Sequence, residues 1–247
     1  MVSMACDFLV TNLRDGSTLV GQDELLRKAA AADGYLYLPG LIESGAVEQL
    51  RSKVLLLCAE FGWLNPNDPI NAAIPAPGVS IDVYDDPWVE LQQRVAVMDE
   101  FVDIGHSPAI LEVMAVLIPG TLVPGCGNTW RLMSPHAPQY TTPPHQDAFY
   151  IKDARHLWTA WLPLGNCPKE LGGLAVAPGS HRFGLREHRD GSGGAVINDE
   201  SNLDWATTNY AAGDVLLFSG LTVHRGLHNR GPQLRISADF RYQSEQD

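Results

Sequence analysis

The sequence predicts one mainly β domain, a strand barrel or sandwich inside a helical jacket. Three observations carry that prediction. Helical periodicity fills the first half of the chain, short alternating or apolar strand-like runs fill the second, and turn residues separate those runs at close intervals. The helix-rich part covers residues 1–118 and the barrel mostly 119–243, within a single domain of 1–247 that shows no internal repeat and no linker.

The elements follow in order. Residues 22–33 place Leu25, Leu26, Ala29 and Ala30 on one helical stripe that stops at Gly34, and 35–38 form a short strand ended by Pro39-Gly40. A second helix covers about 44–60. Residues 65–87 turn to Pro, Asn, Asp and Gly, an irregular excursion long enough to fold over a site. Helical spacing returns over 88–102 and 108–117. After Pro119 strands are expected at 129–133, 157–164, 174–177, 213–218, 221–225 and 234–242, with a long polar, Gly-rich segment over 182–212 as a second possible cover.

Composition narrows the function. The 247 residues are 45% hydrophobic, as a folded domain requires, and 17 Lys and Arg against 29 Asp and Glu give a net charge of −12. That balance, with no basic stripe, argues against nucleic acid or an anionic membrane as partner. Cys6, Cys58, Cys126 and Cys167 are scattered and read as free thiols. The opening residues have no basic region before an apolar run, and no stretch is apolar enough to span a bilayer, so a cytoplasmic location is expected. No motif specifies an oligomeric state.

The chemistry centres on His145-Gln146-Asp147. In an extended segment residues 145 and 147 project from one side, where an imidazole and a carboxylate can share an ion. One distant His would complete a 2-His-1-carboxylate set, which suits non-haem Fe(II) and leaves positions open for substrate and oxygen. Among the eight histidines His224 ranks first, because residues 221–224 alternate and set it with Thr222 on the less apolar face. His228 is second, in a turn context. Residues 234–241 alternate strictly, apolar at even positions and polar at odd ones. With a turn near Arg230, His224 would pair roughly opposite 235–237, placing Arg235 and Ser237 next to the metal. Arg binds a carboxylate through two donors and Ser adds a third, as a metal-chelating keto acid with a distal carboxylate requires.

These residues resemble the phytanoyl-CoA dioxygenase family of Fe(II)/2-oxoglutarate oxygenases. The resemblance rests on His145-x-Asp147, on the 173–181 segment Gly-Leu-Ala-Val-Ala-Pro-Gly-Ser-His, on Gly213-Asp214 before an apolar strand, on His224, and on Arg235 eleven residues later. The Asp33-Gly34-Tyr35 opening is also similar. The resemblance implies a double-stranded β-helix (a cupin-like jelly roll), Fe(II) on His145, Asp147 and His224, and 2-oxoglutarate on Arg235 and Ser237. It further implies cosubstrate contacts from Thr159 or Trp161 and from Arg131. Asp147 stands where halogenating relatives carry a small residue, so halogenation is not expected. The implied reaction consumes O2 and 2-oxoglutarate and hydroxylates an unactivated C–H bond of a small molecule, plausibly a secondary metabolite. Desaturation, epimerisation or ring closure by the same oxidant remain alternatives, as do a zinc hydrolase and an inactive binding module.

Overall fold

The computed structural model describes residues 10–82, 84–125, 127–151, 156–191 and 194–246; Cys6 and Cys126 lie outside these. Five helices are described: α1 (Asp23–Asp33), α2 (Ser44–Glu60), α3 (Asp86–Ala96), α4 (Asp99–Gly105) and α5 (Pro108–Leu117). The strands are β1 (Val10–Asn12), β2 (Tyr35–Leu38), β3 (Leu122–Pro124), β4 (Thr129–Met133), β5 (Trp158–Pro163), β6 (Leu174–Val176), β7 (His188–Arg189), β8 (Val196–Ile197), β9 (Trp205–Thr207), β10 (Val215–Ser219), β11 (His224–Gly226) and β12 (Arg235–Ser244).

Local signals account for the helix ends. Asp23 and Glu24 sit in the first turn of α1, where carboxylates complement the helix dipole. Gly34 ends it in the left-handed region at φ 76°. The Asp85 side chain caps α3 by accepting from Trp88 N–H at 3.1 Å, with Pro87 in the first turn. The helix expected over 88–102 is two helices, α3 and α4, broken at Val97, which is 78% exposed and so contributes nothing to a continuous buried stripe.

Two sheets face each other. The larger has the order β2-β10-β5-β12-β3, with β4 also paired to β12, and the smaller has the order β1-β9-β6-β11. Among the described residues they do not close into a continuous barrel, and the architecture is an open jelly roll. Period-2 alternation divides the large sheet cleanly. Leu36, Leu38, Trp130, Leu132, Ala160, Leu162, Val215, Leu217, Ile236, Ala238 and Phe240 point to the helices and form the main core. Tyr35, Tyr37, Trp161, Leu216 and Phe218 point inward to meet Leu174, Val176 and Ala206 of the small sheet. The odd residues of β12 share that inward face.

One expected pairing is corrected. His224 does not lie opposite 235–237 in a hairpin: β11 pairs β6 in the small sheet, whereas β12 pairs β5 and β4 in the large one. The connection between them crosses from sheet to sheet. It is held by Leu227 N–H on Gly173 O, Arg230 N–H on Glu170 O and Leu234 N–H on Ala73 O. Alternation reports which face a side chain takes and not which strand lies beside it.

Other corrections concern the covers. The strand expected over 221–225 starts at His224, because Ser219 to Thr222 forms a turn. The 182–212 segment holds the β7–β8 hairpin and β9. The 65–87 excursion buries Ala73 and Ile81 in the helix-side core, so it backs the large sheet. No described helix is long and apolar enough to cross a membrane.

Candidate metal and cosubstrate site

His145 and His224 meet across the edge of the small sheet, where they form an isolated antiparallel bridge. Gln146 is extended (φ −125°, ψ 131°), and Asp147 opens a short 3-10 turn at 147–149. His145 and Asp147 therefore project from one side, as the extended reading requires. One ligand atom from each of His145, Asp147 and His224 lies within 4.8 Å of the others, and all three residues are buried. Asp147 Oδ1 is 3.6 Å from His145 Nε2 and 3.7 Å from His224 Nε2.

The proton positions suit a metal. His145 Nδ1 lies 2.8 Å from Pro143 O, and His224 Nδ1 lies 3.0 Å from Thr222 O. A carbonyl only accepts, so each Nδ1 carries a hydrogen and each Nε2 is the ring atom turned toward Asp147 Oδ1. Burial and the neighbouring His145 push the His224 pKa down to about 3, against the pull of Asp147, so this imidazole stays neutral. Burial raises the pKa of Asp147. That effect is outweighed by the hydrogen bonding of His145 and the Arg241 guanidinium, which together hold the carboxyl well below its ordinary range. Two imidazoles and one carboxylate are the donor set that non-haem Fe(II) takes.

Arg235 and Ser237 occupy the inward face of β12. Both are buried, and Arg235 Nη1 donates to Ser237 Oγ at 2.6 Å. Arg235 Nε is buried with no hydrogen-bond partner among the described residues. The nearby carboxylate on the strand, Asp239, is taken by Arg131 (Nε to Oδ2, 2.8 Å). Burial lowers the Arg235 pKa, yet guanidinium remains a cation. A buried cation without a carboxylate is destabilising, and a distal carboxylate from a bound keto acid fits that position.

The remaining predicted contacts fall as follows. Thr159 faces inward from β5, and its hydroxyl donates to Asp147 Oδ2 at 2.7 Å. Trp161, two residues on, packs edge-on against Tyr210 with ring centroids 4.8 Å apart. Arg131 bridges Asp239 and Thr142 Oγ1 (3.3 Å).

Sequence reasoning missed Arg241, whose Nε donates to Asp147 Oδ2 at 3.0 Å and whose Nη2 donates to Oδ1 at 3.3 Å. The signal was present, since Arg241 is an odd residue of the strand that supplied Arg235 and Ser237. Gln146 was missed too. Its side chain donates to Gly184 O (2.9 Å) and Leu221 O (2.6 Å) and accepts from Arg186 N–H (2.8 Å).

Two motifs singled out in the sequence hold the site in place. Gly34 O accepts from Thr222 Oγ1 at 2.7 Å and from Ser219 N–H at 3.0 Å, and Ser180 Oγ accepts from Val223 N–H at 2.9 Å. The Asp-Gly-Tyr and Gly-Ser-His segments thus fix the turn that delivers His224. His181 contacts Ala31 O and stands outside the ligand group.

Comparison with known proteins agrees with this geometry. The family model for phytanoyl-CoA dioxygenase (PhyH) matches residues 31–237. Two proteins named 1-deoxypentalenic acid 11-beta-hydroxylase are similar along most of the chain. The one from Streptomyces arenae is 28% identical over 251 residues and that from Streptomyces exfoliatus 27% over 248, each alignment covering 93% of this chain and 84% of the relative. Among solved structures, the epimerase SnoN in complex with Fe3+, alpha ketoglutarate and nogalamycin RO superposes with a TM-score of 0.65 at 20% identity, covering 91% of this chain and 84% of that one. That likeness is one of fold.

Proposed function

The chain belongs to the phytanoyl-CoA dioxygenase family, a non-haem iron, 2-oxoglutarate-dependent oxygenase, and on that premise we propose that His145, Asp147 and His224 are its Fe(II) ligands. Arg235 and Ser237 then bind the distal carboxylate of 2-oxoglutarate, and the product is a hydroxylated small molecule of secondary metabolism. The observation that carries the reading is the pairing of two features. Three buried donors converge on one point, and a buried Arg235 with an unpartnered Nε faces the same inter-sheet space.

When bound, iron with 2-oxoglutarate and O2 supplies an oxidant able to take hydrogen from an aliphatic C–H bond, while the cosubstrate loses CO2 and becomes succinate. The chain supplies position and dryness. Arg235 and Ser237 fix the distal end of the cosubstrate and so its rotation about the metal. His145 and His224 keep their Nδ1 protons on backbone carbonyls, which prevents either ring from flipping. Trp161, 1% exposed, and Phe218 give the inter-sheet space an apolar floor.

For the substrate we infer a small, mostly apolar carboxylic acid. The named activity of the two Streptomyces relatives, on 1-deoxypentalenic acid, supports this. So does the charge of the inward face, where Arg131, Arg235 and Arg241 face Asp147 and Asp239. Ferrous ion and doubly charged 2-oxoglutarate cancel, leaving one positive charge over. The buried free thiols Cys58 and Cys167 support a reducing, cytoplasmic location.

Anaerobic titration of Fe(II)-loaded protein with 2-oxoglutarate tests the core of the reading through the weak visible charge-transfer band of the chelate. A band that saturates in wild type, and needs more 2-oxoglutarate in Arg235→Ala, is the expected result. No band despite confirmed iron loading would overturn it. Succinate release across a panel of alicyclic monocarboxylic acids and their methyl esters then tests the substrate class.

A further inference from the structure

We propose that Thr159 and Arg241 act together to hold Asp147 as a one-oxygen ligand, keeping its second oxygen off the metal so that the positions needed by cosubstrate and O2 stay open. This rests on the reading that His145, Asp147 and His224 hold the ion.

The two carboxylate oxygens of Asp147 have different surroundings. Oδ1 faces both ring nitrogens, 3.6 Å from His145 Nε2 and 3.7 Å from His224 Nε2. Oδ2 faces away and accepts two hydrogen bonds, from Thr159 Oγ1 at 2.7 Å and from Arg241 Nε at 3.0 Å. Two accepted bonds use both lone pairs of that oxygen, which leaves none for a cation. Oδ1 accepts one bond, from Arg241 Nη2 at 3.3 Å, and retains a lone pair on its histidine side.

Strand register explains why two residues 82 positions apart in sequence reach one oxygen. Arg241 of β12 and Thr159 of β5 are direct partners in the antiparallel ladder, so they share the inward face. Arg241 is fixed in turn: its Nη1 donates to Gly127 O, and its backbone N–H donates to Asn128 Oδ1 at 2.9 Å. The same strand therefore carries the distal-carboxylate anchor, Arg235, and the ligand clamp, Arg241, six residues and roughly 20 Å of backbone apart.

The coordination count gives this arrangement its purpose. Three protein donors on a six-coordinate ion leave three positions, enough for a keto acid bound through two atoms and for O2. A carboxylate free to bind through both oxygens would take one of them. Thr159 is thereby a positioning residue for Asp147, as is Arg241. Thr159 is fully buried and the Arg241 side chain is only 11% exposed, so water does not substitute for either hydrogen bond.

The test uses Co(II) as a spectroscopic stand-in for iron, because its ligand-field bands respond to the number and geometry of its ligands. Spectra of the full-length protein are recorded with Co(II) alone and then with added 2-oxoglutarate, for wild type, Thr159→Val, Thr159→Ser and Arg241→Gln. Thr159→Val preserves shape, and it carries the test if Arg241→Gln does not fold. Expected results are a Co(II)-only band altered in shape and intensity in Thr159→Val and Arg241→Gln, a 2-oxoglutarate midpoint raised by roughly tenfold or more, and wild-type behaviour restored in Thr159→Ser.

An ion pair serving stability alone would lower the melting temperature and leave the spectra untouched. Folded variants with wild-type Co(II) bands and an unchanged 2-oxoglutarate midpoint would overturn the clamp. A wild type that binds Co(II) but ignores 2-oxoglutarate would sink the cosubstrate assignment instead, with the clamp still judged from the metal-only spectra. A wild type that binds no Co(II) would overturn both.

Discussion

His145 and His224 hydrogen-bond to each other through their backbones in both directions, each N–H reaching the other's carbonyl at 3.0 Å. Their imidazole centroids lie 4.2 Å apart. Two of the proposed ligands, from distant parts of the chain, thus form a single rung, and an ion bound across it would tie the 145–147 segment to the small sheet. Fe(II) or Co(II) at about a hundred times its Kd is expected to stabilise the protein by roughly 3 kcal/mol, a rise in Tm of about 5–10 °C. His145→Ala, Asp147→Ala and His224→Ala should each remove the rise along with turnover. A metal-dependent rise that survives in Asp147→Ala would remove that residue from the ligand set.

Arg235→Ala should weaken 2-oxoglutarate binding by about 100-fold, since a charge-assisted, two-donor contact contributes roughly 3 kcal/mol. Arg235→Lys keeps the charge but not the fork and should recover part of the loss. Titration calorimetry on the metal-loaded protein measures both. Equal affinities in all three proteins would place the distal carboxylate elsewhere.

Acid should destabilise the metal-free protein through His224. Its folded pKa of about 3 lies below the ordinary value of 6.5, so the unfolded chain takes up a proton that the folded chain refuses. The stabilising contribution is present above pH 6.5 and is lost as pH falls toward 3, with a slope of about 1.4 kcal/mol per pH unit for one proton. His181, His188 and His228 are shifted down as well, burial being the leading cause in each, so they add slopes of the same sign. Urea unfolding across this window with a chelator present should show His224→Gln losing about one proton of slope. A variant as acid-sensitive as wild type would contradict the shift.

Asp214 accepts from Tyr37 Oη at 2.6 Å, from Gly40 N–H at 2.9 Å and from Ala211 N–H at 2.9 Å. It joins β2, the turn after it and the entry to β10. Asp214→Ala leaves three donors unmatched and should lower Tm by about 10 °C, whereas Tyr37→Phe should cost about 1–2 kcal/mol. Circular dichroism melts of the two variants rank them, and the reverse order would refute this account of the Gly213-Asp214 motif.

Gly34→Ala meets two obstacles. The position holds φ 76°, and an added Cβ would stand 2.3 Å from His181 Nδ1 and 2.7 Å from Thr222 Oγ1. Because the Gly34 carbonyl receives Thr222, the damage should extend to His224 and appear as weaker metal binding together with a lower Tm. Metal affinity unchanged beside a large Tm loss would confine Gly34 to the helix end.

Residue spacing made much of this legible. Alternation over 234–241 identified an inward polar face, and the spacing of His145 and Asp147 identified a shared side, because both depend only on local backbone geometry. The pairing of His224 with 235–237 was misread, since a strand's neighbours are set by a chain crossing that leaves no periodic trace. The β7–β8 hairpin was invisible because strands of two residues cannot display a period. Arg241 was on view in the pattern but lacked a named partner until β5 was laid beside β12.

Gln146 has a consequence for anyone exchanging the 184–188 segment. Its amide is shared among Gly184, Leu221 and Arg186, while its N–H donates to His188 Nε2 at 3.2 Å. Residues 184–188 are therefore wired to the residue between His145 and Asp147, two of the proposed metal ligands. An exchange of that segment for one of different length or backbone course would disturb the placement of His145 and Asp147. Grafts that preserve a carbonyl at 184, an N–H at 186 and an imidazole at 188 are the ones that keep Gln146 where it stands.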